Sequence, residues 1–210
     1  MDFKYERYEE QNKKWPQNGQ HILAQYTDEY VIVYQAFNAE IADFAVRHQK
    51  FGGPAYNFGR MTWIKTNFLW MMYRSNWAMK DKNQARILAI YVSVEGFEEI
   101  LRSAYTVRYE KHSNTDRKDV LVRLQWDPDH DPYGNSVARR AMQLGLKSGI
   151  LQRFNNEWIK KICDVTDFVI EQKRYVDSNE PEKLKSLLTP IETIYLPKKE
   201  ETRHRIELTC

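Results

Sequence analysis

The sequence is poor in cysteine, with only Cys163 and Cys210 among its 210 residues. Cys163 lies in an apolar run and Cys210 is the last residue, so neither a disulfide framework nor a cysteine-based zinc site is indicated. No segment approaches the roughly 18 to 20 uncharged apolar residues that a membrane span requires, and the first residues lack the apolar stretch of a signal peptide. We therefore expect a cytoplasmic protein that does not bind membranes.

Several sequence motifs of common enzymes are also missing. The chain contains no Walker lysine loop, no Gly-x-Gly-x-x-Gly, no Gly-x-Ser-x-Gly and no His-Glu-x-x-His. These absences argue against P-loop ATPases, Rossmann dehydrogenases, α/β-hydrolases and zincins. The net charge of +3 is too small to indicate nucleic-acid binding by itself. Any site for a polyanion must therefore be local.

The length and pattern predict one α+β domain over residues 20–197. We expect residues 1–19 to form a flexible arm and residues 198–210 a polar tail. Short strands and short helices alternate without a regular βαβ rhythm, which favours a mixed, largely antiparallel sheet with helices packed on it. The strands are expected at 30–37, 61–65, 86–93, 120–126, 140–146 and 158–165. Asn38 and Asn67 are expected to cap helices.

The segment from Arg60 to Trp77 is unusually aromatic and cationic. It holds three of the six tryptophans together with two arginines and a lysine. Such a stretch either packs into the core or forms the wall of a pocket for a flat, anionic ligand. Apolar residues at helical spacing in the centre of this segment favour packing into the core. Four other positions are candidates for ligand contact: Thr62, Lys65, Tyr73 and Arg74.

An acidic run, Asp127-Pro-Asp-His-Asp131, offers three carboxylates and an imidazole within five residues. Oxygen-rich clusters of this kind can hold Mg²⁺ or Ca²⁺, with Asp127, Asp129 and Asp131 as ligands. The alternative is a proline-bounded turn whose acids cap backbone amides or pair with Arg139 and Arg140.

Two arginines, Arg139 and Arg140, lie at the start of the next predicted strand, and Gln143 is three residues after Arg140. Arg139 and Arg140 are placed to fork onto a phosphate, and strand alternation directs Arg139, Ala141 and Gln143 to one face. An ion pair with the neighbouring acidic run is the alternative.

Taken together, several long motifs resemble the family catalogued as domain of unknown function 4291, over about residues 15 to 197. They are Trp15-Pro, the stretch from Ala24-Gln-Tyr26 to Val33-Tyr-Gln-Ala-Phe37, Arg60-Met-Thr-Trp-Ile-Lys65, Phe68-Leu-Trp-Met-Met-Tyr-Arg-Ser75, Gln125-Trp-Asp-Pro-Asp-His-Asp-Pro132 and Arg139-Arg-Ala-Met-Gln-Leu-Gly-Leu146. Members often have Pro at the position of Thr66.

At the level of fold, the chain also resembles ADP-ribosyltransferase-like domains, which bind NAD in a cleft between two mixed sheets. That pattern places a polar residue on an early strand, a Ser, Thr or Tyr on a second, and a Glu or Gln on a late one. The resemblance assigns these places to Tyr34-Gln35, Thr62 and Gln143. The early His or Arg and the late Glu of the pattern are absent.

These observations lead to the hypothesis of a nucleotide-binding, enzyme-like domain that uses NAD or another nucleotide and transfers an ADP-ribosyl, nucleotidyl or glycosyl group. Thr62 and Gln143 are its candidate catalytic residues. The candidate binding residues are Gln35, Arg60, Lys65, Tyr73, Arg74 and Arg140. Two alternatives stay open: a metal-dependent phosphoesterase or RNA-processing enzyme that uses the Asp127–Asp131 run, and a non-catalytic module that binds nucleic acid.

Overall fold

The computed structural model describes residues 3–106, 108, 119–178 and 180–209. The strands are β1 (Tyr5–Arg7), β2 (Gly19–Gln20), β3 (Leu23–Ala24), β4 (Tyr30–Phe37), β5 (Thr62–Lys65), β6 (Arg86–Ser93), β7 (Ala104–Tyr105), β8 (Val122–His130), β9 (Ser136–Leu146), β10 (Ile159–Asp164), β11 (Leu188–Pro190) and β12 (Thr193–Ile194). Within the described ranges the α-helices are α1 (Tyr8–Lys14), α2 (Ala39–His48), α3 (Phe68–Ser75), α4 (Val94–Arg102), α5 (Ser148–Arg153), α6 (Thr166–Asp177), α7 (Pro181–Leu184) and α8 (Glu200–Arg205). A 3-10 turn at Lys82–Gln84 and a π-helical turn at Phe154–Trp158 complete the helical segments described.

One mixed sheet organises the molecule, with strand order β10-β6-β4-β5-β9-β8-β7 and β2 beside β9. The β2–β9 and β7–β8 pairs are parallel and the other pairs of this sheet are antiparallel. Two small antiparallel pairs, β1–β11 and β3–β12, lie outside it. The predicted α+β class with a mixed, largely antiparallel sheet is confirmed. No helix in the described ranges has the length and apolar character needed to cross a membrane.

The centre of the sheet is the β4–β6 pair, which runs in register from Tyr30 opposite Ser93 to Phe37 opposite Arg86. Both strands are rich in β-branched and aromatic residues, and most of their side chains are buried. Alternation sends Val31 and Val33 into the core on one face of the sheet, while Ile32 and its neighbours enter a second core on the other face. A strand buried on both faces reads as a continuous apolar run, which explains why both strands are predicted with their observed bounds.

The next pairing in the sheet is much weaker. The register between β4 and β5 contains one residue pair, Tyr34 with Lys65. In contrast, β5 pairs with β9 over all four of its residues, from Thr62 opposite Leu146 to Lys65 opposite Gln143. The end of β4 and the start of β5 therefore diverge, which leaves space between two strands of one sheet.

Both chain ends contact distant parts of the chain. β1 pairs with β11, and Trp15 is 4% exposed, with its indole Nε1 donating to the carbonyl of Glu192 at 2.8 Å. At the other end α8 is followed by the fully buried Ile206. These contacts join residues that are far apart in sequence, so local sequence patterns do not predict them.

Several predicted boundaries are wrong, and the strand expected from residue 140 begins at Ser136. The strand expected to stop at Trp126 continues through His130, and a bulge between Pro128 and His130 accommodates the proline. The helix that Asn67 caps ends at Ser75, because Asn76 takes a left-handed conformation with φ of 47°.

Candidate functional site

A cavity of about 410 Å³ opens where β4 and β5 diverge. Its walls come from the end of β4, the residues of β5, the last turn of α3 and the middle of the β8–β9 hairpin. Five of the residues predicted for a binding or catalytic site line it: Gln35, Thr62, Lys65, Arg74 and Gln143. Other lining residues include Phe37, Met61, Trp63, Met71, Gln84 and Gln125.

Lys65 is the central charged residue of the cavity and is only 6% exposed. The pKa of Lys65 is lowered to about 7, mainly by burial and also by the positive charge of Arg74, while Asp127 acts in the opposite direction. Its Nζ donates to the Trp63 carbonyl at 3.2 Å and lies 5.5 Å from the centre of the Trp70 ring. Within the described part of the chain, no carboxylate lies within 4.0 Å of this amine.

Arg74 reaches the cavity from the last turn of α3. The side chain of Asn67 caps this helix by accepting from the Trp70 amide at 2.7 Å, and the apolar side of the helix is buried. Met71 and Arg74 are three residues apart, so they lie on the same side of α3 and both line the cavity. The side chain of Arg74 is exposed and makes no ion pair or hydrogen bond with residues 3–106, 108, 119–178 and 180–209.

Neutral amides complete the walls. Gln35 bridges the diverging strands, with its Nε2 donating to Thr62 Oγ1 at 2.6 Å and to the Trp63 carbonyl at 3.2 Å. Its Oε1 is buried and receives no hydrogen bond from the described residues. Gln143 Nε2 donates to Asp127 Oδ2 at 2.7 Å and to Gln125 Oε1 at 2.9 Å. Burial raises the pKa of Asp127, and the hydrogen bond from Gln143 opposes that rise.

Three of the predicted binding residues lie elsewhere. Arg60 lines a neighbouring cavity of about 470 Å³, which shares Phe37, Met61 and Thr62 with the first. Tyr73 lines a third cavity, of about 720 Å³, on the other side of Arg74. Arg140 is exposed on the face of β9 opposite to Gln143. The proposed set therefore converges only in part.

The three acidic residues of the predicted metal site have separate partners. Asp129 pairs with Arg139 and also accepts from the His130 amide at 2.7 Å. Asp131 accepts from two backbone amides of the β8–β9 turn, at 2.9 Å each, and Asp127 is held by Gln143. Among the residues described, no three His, Cys, Asp or Glu side chains are grouped to hold a metal ion. The alternative of capping and ion pairing accounts for the contacts seen, and the magnesium site stays a prediction.

Two contacts near the β8–β9 turn are not predicted by the sequence analysis. Glu192 is 2% exposed and accepts from the Phe68 amide at the start of α3 at 2.7 Å. Burial raises the pKa of Glu192 well above its usual range. Tyr73 stacks on His130 with ring centres 3.5 Å apart and planes at 8°. Neither contact has a signal in the local sequence, because each joins elements that meet only in the folded chain.

Fold and cavity together define an α+β domain in which a polar-lined cavity opens where one strand pair of the central mixed sheet diverges. The chain matches the model of the domain of unknown function DUF4291 over residues 21–195, and it belongs to that family. A comparison with curated proteins finds no match.

Proposed function

We propose that the cavity between β4 and β5 binds a nucleotide, with a phosphate group held between Lys65 and Arg74. The observation that carries this proposal is the convergence of these two cations on one concavity without a carboxylate in ion-pair contact with either, among the residues described. A phosphate placed between them would offset their mutual repulsion. The planar guanidinium of Arg74 suits the paired oxygens of a phosphate.

The remaining walls suit the rest of a nucleotide. A volume of about 410 Å³ falls within the range of roughly 300 to 1,000 Å³ that is usual for small-molecule sites. The unpartnered Oε1 of Gln35 is an acceptor for a ligand hydroxyl or amine, since a buried acceptor without a donor is costly. Phe37 and Trp63 supply aromatic surface for a base.

A finer proposal follows from the resemblance to ADP-ribosyltransferase-like domains. NAD is then the nucleotide, and Thr62 and Gln143 face its reactive ribose carbon. Both residues line the cavity: Gln143 lies directly opposite Lys65 in the β5–β9 register, and Thr62 is three residues before Lys65 on β5. Catalysis would consist of positioning the ribose and stabilising charge near it, with transfer of an ADP-ribosyl or related glycosyl group.

Thermal unfolding with added NAD, ATP and other nucleotides, with and without Mg²⁺, tests the proposal. A ligand present at 100 times its Kd stabilises the folded state by about 2.7 kcal/mol. Arg74→Gln should reduce this stabilisation. Arg47→Gln is the matched control, because Arg47 is also the exposed, penultimate residue of a helix, α2, away from the cavity.

Three results would speak against a small-nucleotide site. The first is no stabilisation by any nucleotide at millimolar concentration, and the second is an equal loss in the two arginine variants. The third is a preference for long RNA with affinity that falls steeply with salt, which would favour the nucleic-acid-binding alternative.

A further inference from the structure

Lys65 is placed as a reactive amine rather than as an ordinary surface cation. Its side chain is buried, lines a cavity, and donates one hydrogen bond, to a backbone carbonyl. An ammonium group has three protons to donate, and the described residues satisfy only one of them at hydrogen-bond distance. The environment therefore favours the neutral amine, which needs fewer acceptors and no counter-ion.

We propose that the Lys65 amine forms a Schiff base with an aldehyde or ketone carried by a phosphorylated ligand, such as the open-chain form of a sugar phosphate. The Nζ lone pair attacks the carbonyl carbon, one amine proton passes to the carbonyl oxygen, and a carbinolamine forms. Loss of the hydroxyl group together with the second amine proton, as one water molecule, leaves the C=N bond. No oxidant or reductant is consumed.

The charged groups that act on Lys65 support this role. Arg74 reaches it from α3 and disfavours its protonated form, while Asp127 acts from β8 in the opposite sense. Because the pKa of Lys65 is about 7, a large share of this amine is neutral at pH 7.5. An unperturbed lysine is only about 0.1% neutral at that pH. The same arginine that depresses the pKa is also positioned to hold the ligand phosphate.

This inference rests on the proposed function in one respect, since the phosphate is expected at Arg74. The intact protein is treated with pyridoxal 5′-phosphate, reduced with borohydride and mapped by mass spectrometry, with pyridoxal as the unphosphorylated control. Lys65 should be labelled at least tenfold faster than the exposed Lys50 by the phosphorylated aldehyde at pH 7.5. Arg74→Gln should remove most of the advantage over pyridoxal, and Arg47→Gln should not.

A small neutral reagent tests the reactivity of the Lys65 amine independently of phosphate binding at Arg74. Trace labelling with acetic anhydride across pH 5 to 11 should give Lys65 a reactivity that reaches half its maximum near pH 7. A Lys65 that is unreactive, or that follows the pH profile of Lys50, would overturn the inference even if nucleotides stabilise the fold. If Lys65 reacts with the anhydride but shows no preference for the phosphorylated aldehyde, the phosphorylated ligand class is overturned, whatever the nucleotide result.

Discussion

Two regions of the sheet bury charge in opposite ways. In the β8–β9 hairpin, Arg139 is 2% exposed, pairs with Asp129, and lies over the ring of Trp15 at 5.0 Å. At the β4–β5 divergence, Lys65 is also buried but lacks a carboxylate in contact among the residues described. The first charge is satisfied within the protein, so it serves the fold. The second is left open toward a cavity, which is the arrangement expected of a ligand site.

The largest expected effect on stability concerns Arg139, the buried charge that is paired with Asp129. Arg139→Met should lower the free energy of unfolding by about 3–5 kcal/mol, because it leaves Asp129 buried without its cation. Urea unfolding measures this loss. The adjacent, exposed Arg140→Met is the matched control and should change stability by no more than about 0.5 kcal/mol.

A double variant sharpens the same test. Arg139→Met with Asp129→Asn should recover most of the lost stability, since it removes the orphaned charge and keeps a side-chain oxygen that accepts from the His130 amide. If Arg139→Met is no more harmful than Arg140→Met, the hairpin ion pair is not structural and the contrast between the two regions fails.

The unsatisfied charge predicts an unusual pH dependence. The pKa of Lys65 is about 7 in the folded protein and about 10.4 in the unfolded chain. Between these values the unfolded chain holds one more proton than the folded protein, so stability rises with pH by up to about 1.4 kcal/mol per unit. The burial penalty is thus present in full below pH 7 and is relieved as pH rises toward 10.

Lys65→Met removes this titration. The variant should be more stable than the wild type at pH 6, and its advantage should shrink steadily between pH 7 and pH 10. Lys50→Met, at an exposed position, is the control and should follow the wild-type curve. Parallel stability curves for wild type and Lys65→Met would show that Lys65 titrates normally.

Ligand affinity should depend on the same proton. A phosphate beside Lys65 favours its ammonium form, so NAD binding should take up a proton above pH 7 and weaken by up to about tenfold per pH unit. Calorimetry in buffers of different ionisation enthalpy measures both quantities. In Arg74→Gln the like charge is gone, the pKa of free Lys65 rises, and the pH dependence should begin at higher pH. Equal affinity at pH 6 and pH 9 would contradict phosphate binding at Lys65.

The two regions also show what local sequence can and cannot reveal. β4, β6 and the caps Asn38 and Asn67 are predictable, because an apolar β-branched run or a capping side chain acts over a few residues. Thr62, Lys65 and Arg74 are singled out by their unusual setting of aromatics and cations. Their convergence with Gln35 and Gln143 depends on strand order, which sequence spacing does not give.

Long-range burial is what sequence reasoning misses. Arg140 and Arg139 are neighbours of the same type, yet alternation buries one beside Asp129 and exposes the other. Glu192 and Trp15 are buried together, although 177 residues separate them. The identity of a charged residue is visible in the sequence, but its partner is decided by the three-dimensional fold.

The smallest expected effect concerns Gln143. Its substitution shows how much the neutral amides of the cavity contribute, compared with the charged side chains. Gln143→Leu removes the donors to Asp127 and Gln125, so stability should fall by about 0.5–1.5 kcal/mol. Gln152→Leu, at an exposed position of α5, is the control and should be nearly neutral. NAD should stabilise Gln143→Leu more than Arg74→Gln, since the amide carries no charge for the phosphate. Equal losses of nucleotide stabilisation in Gln143→Leu and Arg74→Gln would contradict this expectation. In that case the neutral amides contribute as much to binding as the charges do, and the buried charge of Lys65 is not the main determinant of the site.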